Sequence, residues 1–223
     1  ILGDDADLFC LYYDVTDGGN WEGNSILCNN INISAVAFHF GISEDKIREI
    51  LARCSEKLLN VRSKRIAPGL DDKILTSWNS LMITAFAKAY HVTGETKYLD
   101  AAKNCVSFIE KNLLSGDKLL RTYKNNTAKI NGYLEDYSYF ANALLDVFEI
   151  EPESKYLDLA LKLGHYLVDH FWDSENSSFF MTSDDHEKLI IRPKSNYDLS
   201  LPSGNSVSCL VMLRLFHLTR EEK

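Results

Sequence analysis

The chain has 223 residues, 45% of them hydrophobic and 25% charged, the make-up of a folded globular protein with one large domain or two small ones. Acidic residues outnumber basic ones by 32 to 24, a net charge of −8 with no Lys or Arg block, which argues against nucleic acid or an anionic membrane surface as a partner. The apolar runs stop well short of the roughly 18–20 residues that a membrane-spanning helix needs.

From the N-terminus, Asp4, Asp5 and Asp7 read as a solvated acidic surface. Asn20-Trp21-Glu22-Gly23 reads as a glycine turn leading into a brief strand at Ile26-Leu27. Ser43 to about Lys64 is helical, with Ile47, Ile50, Leu51, Cys54 and Leu58 on its apolar face and Ser43 as N-cap.

Beyond that helix the chain repeats itself. Lys97-Tyr98-Leu99-Asp100-Ala101-Ala102 recurs as Lys155-Tyr156-Leu157-Asp158-Leu159-Ala160. Each copy follows a helical stretch (Leu75 to Tyr90, Leu134 to Glu149) and a short polar turn. A third copy begins at Leu201, where Ser203-Gly204-Asn205-Ser206 echoes Ser77-Trp78-Asn79-Ser80 ahead of an apolar helix over Val207 to Leu218. The second helix of the first repeat carries Tyr98, Ala101, Ala102, Cys105, Phe108, Ile109 and Leu113 at i, i+3, i+4, i+7 spacing. That of the second carries Tyr156, Leu159, Ala160, Leu163, Tyr166, Leu167 and His170. Lys118 to Tyr123 and Ser178 to Thr182 read as short strands in the connections, with Glu187 to Arg192 pairing back on the second.

Helix pairs of about 60 residues exceed the roughly 34–47 of common helical solenoids. Long connections that all follow the second helix gather on one rim. This pattern predicts an all-α fold, a fragment of an (α/α)6 toroid with short β-hairpins in its connecting loops. The chain has no initiator Met and closes inside a helix end, so residues 1–223 are expected to be one partial toroid domain truncated at both ends. An open array of this kind exposes apolar helix faces, and self-association is expected of it.

Five cysteines at irregular spacing, with no Cys-x-x-Cys, exclude a zinc ribbon or a dithiol redox pair and suit a reducing compartment, the cytoplasm. The six histidines lack metal-site spacings, and no phosphate loop or nucleophile elbow is present. No metal and no cofactor are therefore expected.

The candidate chemistry sits where the first helix of each repeat begins. The clusters are Arg65, Asp71, Asp72, Lys73, Trp78 and Asn79, then Asn131, Tyr133, Glu135, Asp136 and Tyr137, then Asp198, Ser203 and Asn205. Carboxylates at helix starts serve as caps for unpaired amides. In the inner helices of a toroid they also face the cavity, where paired carboxylates supply acid and base for glycoside chemistry. Asp72, Glu135 and Asp136 are the catalytic candidates. Trp21, Glu22, Arg65, Trp78, Asn79, Tyr133, Tyr137, Asp198 and Asn205 are the substrate-binding candidates, their aromatic members suiting the apolar faces of sugars.

Four motifs in order, Gly19-Asn20-Trp21-Glu22-Gly23, Asp71 to Asn79, Gly132-Tyr133-Leu134-Glu135-Asp136-Tyr137 and Pro202-Ser203-Gly204-Asn205-Ser206, resemble the YyaL-like, spermatogenesis-associated family. The resemblance implies a six-hairpin, glycosidase-like domain, of which this chain is the middle, and a thioredoxin-like domain elsewhere in the full-length protein. It implies kinship of fold with N-acylglucosamine 2-epimerases and glycoside hydrolases, which does not establish a reaction. The chain departs from the family pattern at Ser80, where Gly is usual, and at Ser138, where Ala is usual. No His-Glu or Arg-His pair matches the epimerase pattern, so the usual histidine acid/base has no carrier here. Three readings stay open: an enzyme or former enzyme acting on a carbohydrate; a non-catalytic module that holds a small sugar or other glycan, a nucleotide sugar or a peptide; and a scaffold whose polar motifs are caps and loop ties, with function resting in the thioredoxin-like domain.

Overall fold

The computed structural model describes residues 1–187 and 190–220. The chain forms two compact units, Ile1–Leu70 and Asp71–Lys223.

In the first unit a 3-10 turn, Gly3–Asp5, leads into α1 (Ala6–Tyr13), followed by α2 (Ile33–Phe40) and α3 (Glu44–Arg62). Asn32 caps α2 by accepting the Ala35 N–H at 2.8 Å, and Ser43 caps α3 by accepting the Lys46 N–H at 3.3 Å. Leu8, Phe9, Val36, Ala37, Ile47, Ile50, Leu51 and Cys54 form the core. The expected solvated acidic surface is only partly so. Asp5 takes both Nη2 and Nε of Arg53, at 2.9 and 3.2 Å, and pins the N-terminal turn to α3. The Trp21 turn closes as a single bridge to Asn24, and Ile26-Leu27 is not strand. Its residues are committed to the turn itself: Asn20 holds the Ile26 N–H at 2.8 Å and carbonyl at 2.9 Å.

The second unit repeats the helical hairpin. Strand β1 (Ile74–Leu75) leads into α4 (Thr76–Thr93), which Gly94 ends at φ +70° with its amide on the Tyr90 carbonyl. Then come α5 (Thr96–Leu113) and three strands, β2 (Leu114–Ser115), β3 (Lys118–Lys124) and β4 (Thr127–Asn131). The second hairpin is α6 (Leu134–Ile150) and α7 (Ser154–Phe171), followed by β5 (Trp172–Asp173), β6 (Ser178–Phe179) and α8 (Gly204–Thr219). β3 pairs antiparallel with β1, β2 and β4, and β5 pairs with β6. Phe180 to Thr182 does not extend β6. Of the return strand expected over Glu187 to Arg192, Lys188 and Leu189 lie outside the described residues and Ile190 to Arg192 is not strand.

Helix α6 is the hub, packed against α4, α7 and α8. It is buried around its circumference, whereas α5 and α7 bury one stripe. In α5 that stripe is Ala102, Val106, Ile109 and Leu113; Tyr98, Ala101, Cys105 and Phe108 flank it half-buried. Polar ties cross the three inner helices. Asp146 of α6 accepts the Thr84 hydroxyl of α4 at 2.7 Å and the Arg214 guanidinium of α8 at 2.8 Å.

Candidate functional site

A cavity of about 210 Å³ opens where the starts of α6 and α8 meet. Tyr133, Glu135, Met181, Ser195, Tyr197 and Ser203 are among its lining residues. The two helix starts approach closely because residue 204 is glycine: a Cβ there lies 2.9 Å from Leu134 Cγ and 3.3 Å from the Glu135 amide. The chain before α8 is tied down by the helix it precedes. Ser203 caps α8 through the Ser206 N–H at 3.3 Å, and its own amide donates to Asp198 at 2.7 Å. Asn205 is buried and completes a strand-like pair with Phe179, accepting its N–H at 2.7 Å and donating to its carbonyl at 3.0 Å. Its amide also donates to the Ser195 carbonyl at 3.1 Å, and the Tyr139 hydroxyl donates to the Pro202 carbonyl.

Behind Tyr133 and Glu135 lies a charged network. Nη1 of Arg121, from β3, donates to Glu135 at 2.8 Å and to Asp136 at 2.9 Å. The same guanidinium sits 4.6 Å from the centre of the Tyr133 ring. Asp136 is fully buried and also accepts two backbone amides, those of Tyr133 at 2.9 Å and Ser77 at 3.0 Å. One carboxylate thus caps the starts of both α4 and α6. Burial pushes its carboxyl up to about 6, against the opposing pull of Arg121 and the Tyr133 amide. Tyr137 stands deeper, its ring parallel to that of Tyr166 at 4.8 Å and its hydroxyl accepting the Leu119 amide at 2.8 Å. Burial raises that phenol as well.

The remaining candidates of the second unit do not line this cavity. Asp72 is exposed and paired with Lys124, whose hydrogen bond holds its carboxyl below the usual range. Asp71 pairs with Lys73 at 3.2 Å. Trp78 is 58% exposed on α4, and Asn79 donates to the Leu75 carbonyl at 2.8 Å. None of Asp72, Trp78 and Asn79 lines the cavity. Trp21, Glu22 and Arg65 belong to the first unit. At the two departures from the family pattern, Ser80 is buried and donates to the Thr76 carbonyl at 2.7 Å, and the buried Ser138 hydroxyl has no hydrogen-bond partner among the described residues.

Arg121, Met181, Ser195 and Tyr197 escaped the sequence reading. Arg121 alone carried a signal, a cation between the apolar Leu119-Leu120 pair and Tyr123 of its strand. His165 and His170, which i, i+5 spacing sets on different faces, both line a second cavity of about 400 Å³ on α7, where His170 meets Asp184 at 2.7 Å. Among the described residues no group of His, Cys, Asp or Glu side chains is arranged to hold a metal ion, and no helix is long and apolar enough to cross a membrane.

No protein-family model matches the chain. Spermatogenesis-associated protein 20 of Homo sapiens is 30% identical over 233 residues, which cover 95% of this chain and 30% of that protein. Its Rattus norvegicus counterpart is 32% identical over 212 residues, covering 90% and 27%. Over 90–95% of its length the chain is similar to this family. It spans less than a third of the length of these curated relatives.

Solved structures agree on the fold. An inactive alpha-1,6-mannanase variant of Salegentibacter sp., in complex with alpha-1,6-mannotriose, matches with TM-score 0.54 at 15% identity, over 99% of this chain and 64% of that one. A family 105 glycoside hydrolase of C. acetobutylicum matches with TM-score 0.54 at 14% identity, over 85% and 56%. A D-mannose isomerase matches with TM-score 0.54 at 17% identity, over 67% and 38%. The chain is thus all-α, with the fold of part of an (α/α)6 toroid and short β-hairpins in the connections.

Proposed function

We propose that this chain supplies one wall of a carbohydrate site in an (α/α)6 toroid, with Glu135 and Tyr133 as the groups that touch the sugar. The cavity between the starts of α6 and α8 carries the proposal, because these two candidates line it. Tyr133 offers an aromatic face, and Glu135 offers a carboxylate oriented by Arg121. In this reading Glu135 is the acid or base, and Asp136, fully enclosed by its donors, is the positioning residue that fixes Arg121 and both helix starts. The solved structures of similar fold include a mannanase and a D-mannose isomerase, which supports a sugar or nucleotide sugar as the ligand class. A thioredoxin-like domain elsewhere in the full-length protein belongs to the same proposal. So does a place in the cytoplasm, whose reducing conditions suit five unpaired cysteines.

The scaffold reading has its own support: Asp72, Asp136 and Asp198 are committed to Lys124, to amides with Arg121, and to the Ser203 amide. Calorimetric titration of the full-length protein with mannose, cellobiose and alpha-1,6-mannotriose separates the two. A sugar site predicts saturable binding that Tyr133→Ala weakens, and any turnover lost in Glu135→Gln with binding retained. If no sugar binds and both variants keep wild-type stability, the scaffold reading replaces it.

A further inference from the structure

The first unit carries a cleft of about 460 Å³, within the roughly 300–1,000 Å³ of small-molecule sites. Phe9 and Tyr13 of α1 meet Leu27 and the C-terminal half of α3 there. Ser55, Leu58, Leu59 and Arg62 follow i, i+3, i+4, i+7 spacing and share one face of α3; Arg65 completes the lining just past the helix. Leu27 and Leu59 are more than half exposed, so the cleft leaves apolar surface in water.

The cations beside it have no carboxylate partner among the described residues. Elsewhere in this unit Lys46 pairs with Glu49, Arg48 with Glu44, and Arg53 and Lys57 with Asp5. Arg62, Lys64 and Arg65 make no ion pair among the described residues, and two of the three line the cleft. A cation at the end of a helix complements its dipole, which accounts for basic residues there but not for an open apolar surface leading up to them.

We propose that this cleft binds an anionic amphiphile, a single aliphatic chain ending in a carboxylate. The chain lies on Leu27, Leu58 and Leu59, and the carboxylate is held by Arg62 and Arg65, whose planar guanidinium forks match its two oxygens. A small anion leaves the leucines in water, and a neutral chain leaves the arginines without a counter-charge. The carboxylic amphiphile satisfies both.

The test titrates the intact chain with dodecanoate and decanoate below their micelle-forming concentrations and with dodecanol below its solubility limit. Dodecanoate binds at one site, decanoate about tenfold more weakly for its two missing methylenes, and dodecanol at least about tenfold more weakly for its missing charge. The double variant Arg62→Gln, Arg65→Gln, exposed at both positions, keeps its Tm and binds dodecanoate no better than dodecanol. Leu59→Glu abolishes dodecanoate binding. Equal affinity for dodecanoate and dodecanol overturns the proposal, as does unchanged binding in either variant. Absence of saturable binding overturns it too, and so does binding seen only when dodecanoate is presented in phosphatidylcholine vesicles, which assigns the surface to a membrane.

Discussion

Asp136 accepts the backbone amide of Ser77, 59 residues earlier in the chain, at 3.0 Å inside a fully buried setting. The bond joins the first turns of two neighbouring inner helices through a single carboxylate. The Tyr133 amide and Arg121 occupy its other oxygen, so the group stands at a junction of α4, α6 and β3.

Removing that junction is costly. Asp136→Ala strips two amides and one guanidinium of their acceptor, and a loss of about 3 kcal/mol at neutral pH is expected. Urea unfolding followed by far-ultraviolet circular dichroism measures it. A loss below about 1 kcal/mol means that water replaces the carboxylate without strain.

Asp136 also predicts an unusual slope with pH. Its folded carboxyl titrates at about 6, above the ordinary 3.8, so the folded state takes up this proton more readily than the unfolded chain. The resulting stabilisation is full below about pH 4 and is lost as pH rises through about 6. The stability gap between wild type and Asp136→Asn therefore narrows from pH 4 to pH 7. A gap that widens over that window indicates that Arg121 and the amides outweigh burial.

Gly204→Ala places a methyl group 2.9 Å from Leu134 Cγ and 3.3 Å from the Glu135 amide. The start of α8 must move away from α6, at about 1–3 kcal/mol, and the cavity changes shape with it. Thermal unfolding reads the first effect and the Tyr133 and Glu135 resonances read the second. An unchanged Tm with unchanged resonances refutes the close approach.

Asn205→Ala leaves the Phe179 amide without its acceptor and frees two carbonyls. We expect a loss of about 2–3 kcal/mol and faster hydrogen exchange at Phe179. Asn205→Asp keeps the acceptor and restores protection at that amide alone, which distinguishes the bond from simple packing.

The hairpin array was legible because each long helix repeats its apolar period four or five times. Helices α1 and α2, of eight residues each, carry too few periods to stand out, and polar Thr127–Asn131 gives no strand signal until it pairs with β3. The same limit governs the site. Tyr133, Glu135 and Asp136 sit together in the chain and were visible as a cluster. Arg121 reaches them only through the β3 register, and Tyr197 and Ser195 only because Asn205 and Asp198 fasten the loop before α8. Asp72 illustrates the reverse: its partner is Lys124, brought near by pairing of Ile74 with Tyr123, and not the neighbouring Arg65.

Helix α6 has almost no solvent face, and three other helices are fitted to it. A substitution on the outer side of α5 or α7 is judged by water alone and has many acceptable answers. One on α6 must suit several neighbours together, and an improvement against one is a misfit against another. Substitutions are therefore expected to be tolerated on the outer faces of α5 and α7 and resisted on α6.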